Sequence, residues 1–127
     1  ESVEMSERAG GVSVLAHPGA YNTTFAGGGA MIDPVVDEIV ATCAGAGIKG
    51  LEVYYSYDKN RPFHNSEPLI TKDELAELVG HYAGLADKYG MLRTGGTDFH
   101  GVTKPQIEMG EVDARYSLVE GLKAARP

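Results

Sequence analysis

Cysteine is nearly missing. Cys43 is the only one in 127 residues, so no intrachain disulfide can form, and its apolar neighbours suit a small buried hydrophobe in a reducing compartment. That points to the cytoplasm. Long apolar runs are missing too: nothing approaches the roughly 20 residues that a membrane-spanning helix needs, so no membrane partner is expected. Positive charge is scarce, with 11 Lys and Arg against 18 Asp and Glu and a net charge of -7. This excludes a bulk clamp on a nucleic-acid backbone, although an acidic average can hide a metal-rich pocket that accepts one phosphate group. Gly27-Gly28-Gly29 is not followed by G-K-[ST], which excludes a P-loop and leaves a mobile loop able to cover a site. There is no internal repeat and no low-complexity tract. The opening ESVEMSERAG has no signal-peptide character and no initiating methionine, so it reads as cut from something longer.

What is present is a 43% hydrophobic, 23% charged chain of a length that suits one domain with one core. VSVLA, Val12 to Ala16, is a short β-prone run stopped by His17-Pro18, because proline ends the ladder and holds the preceding residue extended. A glycine-rich loop runs to Ile32. Asp33-Pro34 is a helix start, followed by an apolar stripe of Val35, Val36, Ile39, Val40 and Cys43 that Gly45 and Gly47 close. Ile48 to Tyr55 reads as a second strand, with Leu51, Val53 and Tyr55 on one face and Gly50, Glu52 and Tyr54 on the other. After a long polar connection, Thr71 and Glu74 make a capping-box pattern, and the helix continues through Leu75, Leu78, Val79, Tyr82, Leu85, Ala86 and Tyr89 to Gly90. Met91 to Thr94 makes a third strand, and Leu118 to Ala125 a last helix. The order β-α-β-α-β-α implies an α/β fold of parallel strands with helices covering the sheet, and all strand C-termini on one rim. Ligand sites form at that rim in open α/β sheets and in (β/α) barrels.

Three rim residues carry the chemistry. In RTGGTDFHG, Asp98 and His100 lie two apart at the end of an extended segment and can aim a carboxylate oxygen and an imidazole nitrogen at one centre. Gly95 and Gly96 permit close backbone approach. His17, at the end of a neighbouring strand, adds a second imidazole, and the mixture suits zinc, manganese or iron. The competing reading is that Asp98 caps a loop, His100 is exposed and His17 is held only by its proline. Glu52 faces inward on the second strand, where it either orients a ligand histidine or bonds nearby backbone and tyrosine hydroxyls. In the loop SYDKNRPFHNSEP, Arg61 can grip a phosphate oxygen in bidentate fashion, but a solvated loop is the favoured account of Lys59, Arg61 and His64, since exposed charges need no special explanation. His81 falls opposite the apolar stripe of its helix and is expected in solvent.

GGVSVLAHPG, then GIKGLEVYY, then LRTGGTDFHG, in that order, resemble the later motifs of the PHP (polymerase and histidinol phosphatase) family of metal-dependent phosphoesterases. The resemblance covers Gly10 to Gly101. It implies a distorted seven-stranded (β/α) barrel whose rim holds a cluster of two or three divalent metals, the number suited to in-line phosphoryl chemistry. His17 resembles the ligand of the A-H-P motif, and Asp98 and His100 resemble the last Asp and His ligands. The family's early H-x-H pair and its further Asp, Glu and His ligands have no counterpart here.

Residues 1-127 therefore read as the C-terminal portion of a single PHP domain. The expected function is hydrolysis of a phosphate ester, in a nucleotide or a small phosphorylated metabolite, by a metal-activated water. The cofactors are divalent Mn, Zn or Fe, and the remainder of the domain or another chain is needed to complete the site. A catalytically silent PHP module and an amidohydrolase-like carbon-nitrogen hydrolase are the alternatives. The order A-H-P, then D-x-H, favours PHP over the second.

Overall fold

In the computed structural model, which describes all of residues 1-127, three parallel strands alternate with helices. The elements are α1 (Ser2–Arg8), β1 (Val14–Leu15), α2 (Pro34–Gly45), β2 (Gly50–Tyr55), α3 (Lys72–Lys88), β3 (Leu92–Gly96) and α4 (Tyr116–Ala124). The sheet order is β1-β2-β3, with β2 paired to both neighbours in parallel. The α/β class and the order of elements agree with the sequence reading. A closed barrel is not formed by this chain: β1 and β3 are both edge strands.

The helix starts follow local chemistry. Asp33 Oδ1 accepts from the Val35 amide at 3.0 Å with Pro34 at the first position of α2. That bond satisfies a donor with no partner inside the helix. At α3, Thr71 Oγ1 accepts from the Glu74 amide at 3.1 Å and the Thr71 amide donates to Glu74 Oε2 at 2.6 Å, the reciprocal pairing of a capping box. The unexpected helix is α1. It has no side-chain cap and no buried residue, so neither of the usual local signals announced it.

The core lies between β2 and the two long helices. Val36 and Val40 of α2, Leu51 and Val53 of β2, and Leu78, Tyr82 and Ala86 of α3 are essentially inaccessible. Two readings need correction. The stripe on α2 is narrower than expected, because Val35 is 60% exposed while Val36 and Val40 are buried. Successive helix positions turn by about 100°, and a three-stranded sheet covers only one side of α2. The connection after β2 is also less polar in practice: Tyr57 and Phe63 within it are fully buried. Tyr57 packs 4.9 Å from Tyr55 and 5.7 Å from Tyr82, measured between ring centroids, in the separation range that aromatic pairs prefer.

The register of β2 against β3 slips between Glu52 and Tyr54. A bulge of this kind re-aims the side chains beyond it. The alternation nevertheless holds to the strand's end: Tyr55 is buried in the core with Leu51 and Val53, while its hydroxyl reaches the loop after β3, 43 residues away. His81 is corrected as well. It is half-buried and bonds Asp37 Oδ1 through Nε2 at 2.7 Å, tying α3 to α2. No helix is long and apolar enough to cross a membrane.

Candidate functional site

His17 and Asp98 are the only non-glycine residues with positive φ, at 27° and 57°. L-residues are disfavoured there by contact between Cβ and the backbone carbonyl. Such strain persists only where surrounding structure over-determines it, most often at functional sites. Both residues stand two positions beyond a strand end, His17 after β1 and Asp98 after β3.

Three interactions set the geometry between them. The His17 amide donates to Glu52 Oε2 at 2.9 Å, so Glu52 holds the backbone that carries His17 and not its ring. The ring lies 5.1 Å from that of Tyr55. The Tyr55 hydroxyl in turn donates to Asp98 Oδ2 at 3.0 Å. His17 Nδ1 is buried with no hydrogen-bond partner, which is costly for a ring nitrogen unless something else occupies it.

His100 stands beside Asp98 and is exposed. Its Nδ1 bonds the Asp98 backbone carbonyl at 2.6 Å and lies 3.4 Å from Asp98 Oδ1. With Nδ1 donating to that carbonyl, the Nε2 lone pair is the one left for a ligand. The structure thus links His17 to Asp98 through Tyr55, and Asp98 to His100 directly. No set of three His, Cys, Asp or Glu side chains converges closely enough to hold a metal ion.

The loops after β2 and β3 supply what the motifs did not announce. Lys104 Nζ donates to Asp98 Oδ2 and, at 3.0 Å, to Asn60 Oδ1. Asn60 is buried, and its Nδ2 donates to the Ser56 carbonyl at 2.9 Å, which fixes the amide so that its oxygen faces Lys104. Ser56 Oγ donates to the Thr97 carbonyl at 3.3 Å, tying the β2 and β3 loops together. A lone Lys and Asn, six and 38 residues from Asp98 in the chain, carry no spacing signal that could have found them.

Partial burial pulls the Asp98 carboxyl upward, but the Lys104 ammonium and the Tyr55 hydroxyl outweigh it, and its pKa falls below the ordinary value. Burial pushes the Glu52 carboxyl up, against the opposing bond from the His17 amide. Burial, followed by the bond to Asp98, raises the Tyr55 hydroxyl. At neutral pH the rim therefore presents an anionic Asp98 and a protonated Tyr55 that donates to it.

Gly96 explains the tight junction. A Cβ there would come within 2.8 Å of Glu52 Oε1, so the glycine lets β3 pass beside the carboxylate that supports His17. Arg61 lies elsewhere. It is exposed and lines a groove of about 780 Å³ together with Phe25, Gly28, Gly29, Pro68 and Leu69. Lys59 pairs with Glu111.

The donor types suit a metal, but their arrangement does not: the three side chains form no group that could hold an ion. A carboxylate, an unpartnered imidazole nitrogen and a second imidazole are borderline ligands suited to zinc, manganese or iron, and an ammonium already balances the carboxylate charge. Three donors on one side are too few for a closed cluster.

No family model matches the chain, and neither does any curated protein. Among solved structures, the chain is similar to the crystal structure of a "putative metal-dependent phosphoesterase" from Bifidobacterium adolescentis, with a TM-score of 0.57 and 25% identity. The match covers 92% of this chain and 32% of that one, so this chain spans about a third of the neighbour's length.

Proposed function

We propose that this chain is the C-terminal part of a PHP-type metal-dependent phosphoesterase domain, acting on a phosphate ester of a nucleotide or small metabolite in the cytoplasm. The observation that carries this reading is the pairing of strain with position: the two left-handed non-glycine residues are His17 and Asp98, the residues that match the A-H-P and D-x-H motifs. The similarity to a protein named as a phosphoesterase supports it. The two open sheet edges suit a segment that pairs with further strands, since unpaired edges invite partners, and a distorted seven-stranded barrel is the assembly the motifs imply.

In this reading His17, Asp98 and His100 contribute to a site for two or three divalent ions of manganese, zinc or iron, completed by the rest of the domain or by another chain. Such ions lower the pKa of a bound water and neutralise the phosphoryl oxygens in an in-line displacement. The chain's own residues do the positioning. Glu52 anchors the backbone of His17, Tyr55 orients the Asp98 carboxylate, and the Asp98 carbonyl sets the tautomer of His100. Arg61, on a groove that shares no residue with this site, is the candidate for gripping a remote part of a phosphorylated substrate.

A catalytically silent module is the second reading, favoured by the lack of a convergent metal-binding trio. Metal content and hydrolysis of a generic phosphate ester, measured on the full-length protein and on Asp98→Asn, separate the two. The phosphoesterase reading expects both to fall sharply in the variant while the fold survives. A full-length protein that takes up no metal and hydrolyses no ester leaves the silent module.

A further inference from the structure

We propose that the groove beside Arg61 binds a free amino acid with a large apolar side chain. The inference stands without the phosphoesterase reading and competes with it only for Arg61, which cannot hold a substrate's remote part and the amino acid at once. The groove, about 780 Å³, is lined by the glycine-rich loop at Phe25, Gly28 and Gly29 and by the chain after β2 from Arg61 to Ile70. That size is ordinary for a small-molecule site. Its glycine-rich wall is built into the fold. Asn22, only 2% exposed, donates through Nδ2 to the Ala30 and Met31 carbonyls at 2.8 and 3.2 Å and accepts at Oδ1 from the Thr24 and Phe25 amides, both at 3.0 Å. The Phe25 ring rests on buried Phe63, with 4.7 Å between centroids. A loop bonded across itself in this way is preorganised, so a ligand meets it without first ordering it.

Charge decides the occupant. The charged residues lining the groove are Arg61, Glu67 and Glu74. Arg61 and Glu67 are exposed and belong to none of the chain's ion pairs, whereas Glu74 has one carboxylate oxygen engaged by the Thr71 amide. An inorganic anion would gain one guanidinium and face two carboxylates, and a simple cation would meet the guanidinium. A zwitterion answers both signs, with its carboxylate on the Arg61 fork and its ammonium on Glu67. The apolar lining selects the side chain. Phe25, Pro62, Pro68, Leu69 and Ile70 share the groove, and Leu69 is 63% exposed, surface that a large apolar or aromatic group would take out of water. A peptide fits less well, because each of its termini carries only one of the two charges.

The test is ligand-observed NMR titration of the full-length protein in chelator, for wild type, Arg61→Gln and Glu67→Gln. The probes are L-phenylalanine, 3-phenylpropionate, which lacks the ammonium, and phenethylamine, which lacks the carboxylate. Both substituted positions are exposed, and thermal melts verify that each variant folds. We expect L-phenylalanine to saturate wild type with a Kd of about 1 mM or tighter, the scale reached by a ligand of this size. Each one-charge analogue should bind about tenfold more weakly, the worth of one charge-assisted contact. Arg61→Gln should weaken L-phenylalanine about tenfold and leave phenethylamine unchanged, while Glu67→Gln should weaken L-phenylalanine and leave 3-phenylpropionate unchanged. No saturation of wild type below about 10 mM overturns the site, and so does binding that both variants retain in full. An affinity lost in Arg61→Gln alone, with 3-phenylpropionate as tight as L-phenylalanine, makes the groove a carboxylate site and overturns the amino acid as its occupant. Because chelator is present throughout, none of these outcomes bears on the metal reading.

Discussion

The helix side of β2 and the loops at its C-terminal end are built on opposite terms. On the helix side, Leu51 and Val53 meet Val36, Val40, Leu78, Tyr82 and Ala86 in an apolar layer with almost no exposure. At the strand ends, His17 and Asp98 adopt left-handed backbone, a buried imidazole nitrogen has no partner, and Asp98 balances a tyrosine hydroxyl against a lysine. The first region lowers free energy by burial. The second holds polar groups in positions that folding alone does not reward, and it persists because the first region positions the strands beneath it.

Leu78→Ala breaks the comparison from the core side. Its side chain is fully buried, so truncation should cost about 2–5 kcal/mol in urea unfolding. A cost under about 1 kcal/mol would mean that the α3–β2 layer is loosely packed.

Asp98→Asn acts on the rim alone. On the phosphoesterase reading proposed above it should lower metal affinity by at least the 10- to 100-fold seen for weaker perturbations around metal sites, while the melting temperature moves little because the lost Lys104 pair is part-exposed and worth about 0–1 kcal/mol. Unchanged metal content, measured by elemental analysis, would make Asp98 a loop residue.

The strain can be measured separately. At φ 57°, Asp98→Gly in metal-free protein should be more stable than Asp98→Ala by about 1 kcal/mol, the reverse of their order in a helix. Equal denaturation midpoints would remove backbone strain from the account of the rim.

The smallest effect is pH dependence at Glu52. Burial raises its pKa in the folded chain, so the folded state binds that proton more tightly than the unfolded one. Its contribution to stability is greatest below the unfolded Glu value and is lost as pH rises through the folded value. Melts in chelator should show wild type losing stability relative to Glu52→Gln across that window. Parallel pH curves for the two proteins would mean that Glu52 titrates as it does in the unfolded chain.

Much of the frame was legible because its causes are local. Asp33-Pro34 and Thr71 with Glu74 place helix starts through bonds spanning two or three residues. The periodic apolar positions of α3 predict its buried face, and His17-Pro18 and the Gly95-Gly96 pair mark strand ends in the sequence itself. The missed helix α1 lacks a cap and buries nothing, so neither signal operated there.

Amino-acid sequence by itself determined the α/β order, the caps, and which residues would stand at the strand ends, since each depends on neighbours within a few positions. Only the tertiary structure decided what those residues touch. The Tyr55 hydroxyl reaches Asp98 across 43 residues, Lys104 and Asn60 meet across 44, and His81 finds Asp37 across another 44. Such contacts depend on how β2 registers against β3 and how α2 lies against α3. These are collective outcomes of packing, and no short window of the chain encodes them.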